Sequence, residues 1–349
     1  MIKKECFSRE WIDQKREIYT ASDPIILERS IYAFELLGNL KKEGIEFIFK
    51  GGTSLILLLD EPKRLSIDVD IITSEVEDKI TKVLDELIKG GIFNKWEEDP
   101  REEKGIPKKH YKIYYNSVVN NKYPAYVLLD VLFAANPYPK TLEKTIESSL
   151  FEVDEDISIT TPTINGILGD KLTAFAPNTT GIPFGNDKEM QINKQLFDIG
   201  ILFEKADDLK EIKSAFDECV KIEAGYRGKE IRPDDVVSDL TEISFLISQM
   251  NLKKSVSNDI TKEFQSGVSK IRSHLLTGNY TIDNAKINAS RCALVVTLFG
   301  KEIDFNAIKS YSADKIDETE LKGDGVILNR LKNILPEAFY YWQQVEKNQ

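Results

Sequence analysis

FIFKGGTSLILLLDEPKRLSIDVDII, residues 47–72, decides how the first half of the chain is read. It continues a mostly apolar run, Ile45 to Phe49, turns on Gly51 and Gly52, and enters an apolar segment, Thr53 to Leu59. Beyond a charged loop containing Pro62, apolar and acidic residues alternate from Ile67 to Ile71. In a strand, residues i and i+2 share a face, so Asp68 and Asp70 project together while Val69 and Ile71 pack beneath. Two like charges at that spacing repel unless a cation lies between them. A hard cation with oxygen ligands, most simply Mg²⁺, is expected. The free N–H groups of a helix beginning at Gly-Gly-Thr-Ser favour an anion such as phosphate. The plainer alternative is a glycine turn and two surface aspartates on an edge strand.

A Gly-Gly turn before a helix, followed by Asp-x-Asp on the next strand, resembles the DNA polymerase β-like nucleotidyltransferase superfamily. The finer spelling, Lys50-Gly51-Gly52-Thr53-Ser54-Leu55 and then Arg64-x-Ser66-x-Asp68-x-Asp70, resembles the AbiEii/AbiGii toxin family of type IV toxin–antitoxin systems. The resemblance implies an α/β polymerase β-like domain over residues 1–162, with a mixed sheet flanked by helices. A C-terminal helical bundle over residues 163–349 would contribute Lys171 and Asp198 to the cleft. It also implies transfer of an NMP from an NTP to an acceptor, with release of pyrophosphate. Gly51, Gly52, Thr53 and Ser54 would hold the β and γ phosphates, with Arg64, Ser66, Lys171 and Lys194 as further nucleotide-binding residues. Asp68, Asp70 and Asp130 would hold two Mg²⁺. The family further suggests tRNA as acceptor, inhibition of translation and a separately encoded antitoxin.

Composition narrows the class independently. The chain has 349 residues, enough for two domains, and is 41% hydrophobic and 30% charged, as ordinary globular proteins are. No apolar run approaches the roughly 18 residues that span a bilayer, and the first residues, MIKKECFSREW, are too charged for a signal peptide. Cys6, Cys219 and Cys292 are far apart and odd in number, which argues against a disulfide framework and for a reducing cytoplasm. Net charge is −11, with 23 basic against 30 acidic residues up to position 165 and 24 against 28 beyond it. A nucleic-acid partner would therefore need a local basic patch and show marked salt sensitivity.

Along the chain, Ser22-Asp23-Pro24 predicts a helix start, with Ile26, Ser30, Ala33, Leu37 and Leu40 at helical spacing. Residues 79–89 predict an amphipathic helix ended by Gly90-Gly91. Strands are expected at 93–98, 111–115 and 126–133, with a solvated connection through 97–104. The last strand carries one acid, Asp130, in an apolar run, so it needs a partner or a solvent edge. The resemblance makes Asp130 the third carboxylate, beside Asp-x-Asp, and an optional general base. From Ile164 the pattern is helical nearly throughout.

Two segments of that half resemble further family motifs. In Gly166-Ile167-Leu168-Gly169-Asp170-Lys171, the lysine is implied to hold a nucleotide phosphate, against the plain reading of a solvated lysine. In Lys194-Gln195-Leu196-Phe197-Asp198, Asp198 is implied to orient Lys171 or the acceptor, against a simple i,i+4 salt bridge with Lys194. Asn178 stands where many relatives carry arginine, and Lys194-Gln195 where many carry Arg-Asp, leaving fewer phosphate forks. The loop 177–187 reads equally as a mobile lid or a connector. His110 and His274 read as surface or structural residues, and Phe339 to Trp342 as the buried face of a last helix. The rival function is a degenerate transferase fold that senses nucleotide or grips a partner; a third reading keeps the enzyme and gives it a protein or small-molecule acceptor.

Overall fold

The computed structural model describes residues 1–100, 105–120, 122–253, 255 and 257–349. The 101–104 part of the expected connection lies outside these residues. In chain order the elements are α1 (Arg9–Ile18), α2 (Pro24–Lys42), β1 (Ile48–Lys50), α3 (Gly51–Leu58), β2 (Asp68–Thr73), α4 (Glu77–Lys89), β3 (Phe93–Glu98), β4 (Lys108–Tyr115), β5 (Ala125–Phe133), β6 (Thr141–Thr145) and β7 (Ser158–Pro162). Helices follow: α5 (Ile164–Phe175), α6 (Glu189–Lys205), α7 (Leu209–Arg227), α8 (Pro233–Gln249), α9 (Asp259–Lys270), α10 (Ile282–Thr297), α11 (Phe305–Lys309), α12 (Leu331–Ile334) and α13 (Pro336–Lys347).

The chain forms two compact units. The first comprises Met1–Asn136, Thr141–Thr163 and Arg272–Asn279; the second comprises Pro137–Lys140, Ile164–Ile271 and Tyr280–Gln349. This division differs from a single cut at 162 in two short segments, 137–140 and 272–279, which exchange sides.

The first unit is a seven-stranded mixed sheet in the order β3-β4-β5-β2-β1-β7-β6. The pairs β2/β5 and β1/β7 are parallel. Alternation sorts the residues onto two faces. Val69 and Ile71 of β2, Val127, Leu129 and Val131 of β5, and Tyr111 and Ile113 of β4 are buried in one apolar cluster with Leu27, Ile31, Phe34 and Leu37 of α2. Each fully buried aliphatic or aromatic side chain of this kind contributes roughly 1.5–3 kcal/mol. Asp23 caps α2, its carboxylate accepting from the N–H groups of Ile25 and Ile26, and Pro24 follows where a missing N–H costs nothing. The neighbours of the cluster residues along each strand, Asp68, Asp70, Asp130, His110 and Lys112, belong to the other face.

Two departures from expectation have local causes. β4 begins at Lys108, three residues before the expected start, because its backbone pairs with β5 through Lys108↔Leu132 and Lys109↔Val131. β6, where the sequence pattern predicted no strand, is a short polar edge strand paired with β7. Residues 272–279 close onto the first unit. The N–H of Leu65 donates to His274 O at 2.6 Å, that of Leu276 to Lys63 O at 3.1 Å, and that of Asp23 to Ser273 O at 3.2 Å. Leu276 enters the sheet unit's core.

The second unit is helical, and Phe339, Tyr340, Tyr341 and Trp342 of α13 are buried in it. All three cysteines are free and buried. Among the described residues no helix is long and apolar enough to cross a membrane.

Candidate active site

Gly51 makes the first turn of the site possible. Its φ is +76°, in the left-handed region, and a Cβ there would lie 2.3 Å from Oδ2 of Asp70. At Gly52 a Cβ would lie 2.5 Å from a terminal nitrogen of Arg64. The two glycines therefore let a carboxylate and a guanidinium pack directly on the backbone at the start of α3. The residue before the helix, Lys50, supplies no side-chain cap, so the first N–H groups of α3 suit an anion. Gly51→Ala should combine left-handed strain of about 1–2 kcal/mol with displacement of Asp70. Its expected outcome is a Tm several degrees lower and a loss of activity beyond that explained by the unfolded fraction, measured by thermal melts beside transfer assays.

Thr53 and Ser54 are fully buried. The Thr53 hydroxyl donates to Asp68 O at 2.5 Å and the Ser54 hydroxyl to Gly51 O at 2.8 Å. Both hydroxyls, expected at the phosphates, are thus spent on bracing the turn, leaving backbone N–H groups as the donors there. Arg64 is buried and donates to Leu65 O at 3.1 Å, while the Ser66 carbonyl accepts from Ser30.

The acids come together across two adjacent strands. In the parallel β2/β5 pair Asp70 lies level with Asp130, and Asp68 with Leu128. Lys50 of β1 flanks Asp70, and His110 of β4 flanks Asp130. Burial, reinforced by Asp130 and Asp68, pushes the Asp70 acid up to about 7, with Lys108 and Lys50 opposing. Asp70 is half-buried by surface area, yet enclosed enough for desolvation to be the largest influence. Asp130 is 8% exposed. Its Oδ1 lies 2.6 Å from Nδ1 of His110, and its Oδ2 lies 3.1 Å from Nζ of Lys108. Among the described residues no three His, Cys, Asp or Glu side chains already converge as a closed ligand set. The donor chemistry nonetheless fits a hard divalent cation: the acids are oxygen donors, crowded, and made costly to ionise by one another.

Lys108 and His110 were not among the expected site residues. His110, read as surface or structural, is buried against Asp130. The available signal was the alternation of His110, Lys112 and Tyr114 against Tyr111, Ile113 and Tyr115, which extends the strand toward its start. His274 is also buried, in the segment that pairs with Leu65.

Lys171 and Asp198 lie in the second unit, as a pair of their own. Nζ of Lys171 is 3.0 Å from Oδ2 of Asp198 and donates to Oε1 of Gln195 at 3.0 Å. Asp198 is 0% and Lys171 7% exposed, so the solvated-lysine alternative does not hold. Lys194 is half-buried on the same helix. The loop 177–187 is anchored: the Asp239 carboxylate accepts from the Asn178 N–H at 2.8 Å, the Asn178 amide at 2.7 Å and the Thr179 hydroxyl at 2.8 Å. The Gly185 N–H donates to Glu263 at 2.8 Å. This tethering favours a connector over a lid, and occupies Asn178 away from any phosphate. A cavity of about 760 Å³ in the second unit, lined by Tyr138, Asp208, Lys213 and Glu302 among others, includes none of the expected site residues.

The sheet order and the glycine turn define a nucleotidyltransferase fold. The nucleotidyltransferase toxin MenT4 from Mycobacterium tuberculosis H37Rv is similar at a TM-score of 0.57 and 13% identity, over 85% of this chain and 92% of that one. A putative nucleotidyltransferase from H. pylori is similar at a TM-score of 0.44 and 15% identity, over 82% of this chain and 97% of that one. The chain belongs to the family of AbiEii toxin nucleotidyl transferases of type IV toxin–antitoxin systems, whose model matches residues 36–280. No curated protein sequence matches it significantly.

Proposed function

We propose that this chain transfers an NMP from an NTP to a tRNA, with Mg²⁺, as the cytoplasmic toxin of a two-gene system whose antitoxin is encoded separately. The observation that carries the reading is the level placement of Asp70 and Asp130 on adjacent parallel strands, with Asp68 two residues away on the same face. Asp68, Asp70 and, for one ion, Asp130 would hold two Mg²⁺, which when bound would lower the pKa of the acceptor hydroxyl and offset charge on the phosphates. The chain's own part is positional. Backbone N–H groups at the start of α3 hold phosphate oxygens, and the bracing of Thr53 and Ser54 keeps that turn in place. The acceptor oxygen bonds to the α-phosphorus, the bond to the β-phosphate oxygen breaks, and pyrophosphate leaves. Asp130 takes up the hydroxyl proton. Lys171, oriented by Asp198, is assigned to the triphosphate by family resemblance.

The test is incubation with each α-labelled NTP, Mg²⁺ and total tRNA. Label should enter tRNA from one preferred NTP and vanish with EDTA. Label in protein or in small molecules instead would replace the acceptor; no label anywhere would favour a binding protein.

A further inference from the structure

Both oxygens of Asp130 are engaged, by partners of different character. His110 faces Asp130 directly across the β4/β5 ladder, is 2% exposed and reaches Oδ1 at 2.6 Å with a short, stiff side chain. Such a residue leaves its place only if the surroundings repack. Lys108 sits two residues earlier on the same face of β4, level with Leu132. Its side chain retains 25% of its exposure and reaches Oδ2 at 3.1 Å. A four-carbon stem with a solvated end can swing away at small cost. An ammonium is a compact cation, and an oxygen that faces it cannot at the same time face a divalent ion without placing two positive charges in contact.

We propose that Lys108 is an internal stand-in for the divalent cation, holding Oδ2 of Asp130 in the metal-free protein and yielding that oxygen when an ion binds, while His110 keeps Asp130 in position throughout. This rests on the reading of Asp68, Asp70 and Asp130 as a metal site. One further observation supports it. Lys50, level with Asp70, brings a second positive charge to the cluster from the opposite side of β2. The metal-free site thus carries its own counter-charges. A metal must exceed the contribution of Lys108 before it can use Asp130, which raises the ion concentration needed to load the site. Lys108 and His110 are positioning residues in this scheme; neither touches the reacting atoms.

The test reads ion binding, not transfer. MgCl₂ and MnCl₂ are titrated into the full chain by calorimetry, with thermal melts of the same samples in EDTA and in excess ion. Lys108→Met is expected to bind the ion roughly tenfold tighter, the size of one charge-assisted contact no longer competing, and to melt earlier in EDTA. Lys108→Arg keeps the charge and should bind like the wild type. Where Lys108→Met does not fold, Lys108→Gln removes the charge while retaining a donor, and should still bind more tightly. His110→Ala should bind about tenfold more weakly, and His110→Asn, whose amide nitrogen falls near the place of Nδ1, should recover most of the loss. Wild-type binding that Lys108→Met and Lys108→Gln leave unchanged or weaken overturns the stand-in role alone. Binding by none of the proteins, the wild type included, overturns the metal reading and this inference with it.

Discussion

Asp70→Asn is expected to lower NMP transfer about a thousandfold or more and, at the same time, to raise the melting temperature of the metal-free protein. On the proposed reading of the cluster as a metal site, loss of transfer follows from removing an anionic ligand at its centre, where bound cations would supply several kcal/mol of transition-state stabilisation. The gain in stability follows from the acid's own titration. Asp70 holds its proton to about pH 7 in the folded protein, against an ordinary 3.8. Between those values the folded state binds a proton that the unfolded chain has released, so stability falls as pH rises through that window. Above pH 7 the charge is fully present and its cost complete, on the order of 4 kcal/mol, since each tenfold change in acidity is worth about 1.4 kcal/mol. Asparagine carries no such charge. Calorimetric melts in EDTA from pH 4 to 8 should therefore converge for wild type and mutant at the acid end and separate toward pH 8, the mutant higher. Parallel curves would mean that Asp70 ionises freely and that the carboxylates do not crowd one another.

Lys171→Ala and Asp198→Ala should both be severely damaging, for reasons that melts and kinetics separate. Each mutation strands a buried charge whose partner lay 3.0 Å away. Breaking such a pair costs about 3–5 kcal/mol, whereas replacing both members by apolar residues of similar volume is far less harmful. Lys171→Met with Asp198→Leu should thus melt higher than either alanine mutant. If Lys171 also grips the triphosphate, Lys171→Ala loses a further factor of roughly 30 to 1000 in kcat/KM at temperatures well below its Tm, and the two single losses are not additive in Lys171→Ala with Asp198→Ala. Wild-type kcat/KM for the folded fraction of Lys171→Ala would make the pair a purely structural one. Gln195 sharpens the case. It stands where many relatives carry an acid, and here offers the ammonium a neutral acceptor at 3.0 Å. Between Gln195 and Asp198, the aspartate alone brings Lys171 a formal negative charge.

The site was legible where the pattern was local. Asp68-Val69-Asp70-Ile71 admits one assignment of faces, because period-two burial puts the acids together whatever the neighbouring strands are. The glycines before α3 were equally plain, since few residues tolerate that turn. What set Asp130 beside Asp70 was not local: β2 and β5 are separated in sequence by two strands and a helix, and a shift of one residue in their register would have sent Asp130 to the apolar face. The family resemblance placed it; alternation within β5 did not. Lys108 and His110 escaped for a different reason. Pro107-Lys108-Lys109 reads as loop by composition, and only pairing with β5 extends the strand through it. The resemblance implied a phosphate role for Thr53 and Ser54; their hydroxyls, at 0% exposure, satisfy the nearest carbonyls, so only their backbone N–H groups remain for that role.

The eight residues that return from the helices to the sheet, Arg272–Asn279, constrain the order in which the chain can be completed. A ribosome delivers the seven strands by residue 162, yet the segment that donates to the Lys63 carbonyl, accepts from the Leu65 N–H and brings Leu276 into the core is more than a hundred residues short of synthesis at that moment. Until it emerges, the loop that carries Arg64 toward Gly52 lacks its backbone partners. The nascent sheet is therefore committed in topology while the loop through Arg64 is unpaired, and a message truncated before codon 272 yields a product in which the Lys63 carbonyl and the Leu65 N–H lack those partners. For a chain of a toxin family, that ordering ties completion of the loop beside the glycine turn to synthesis of most of the polypeptide.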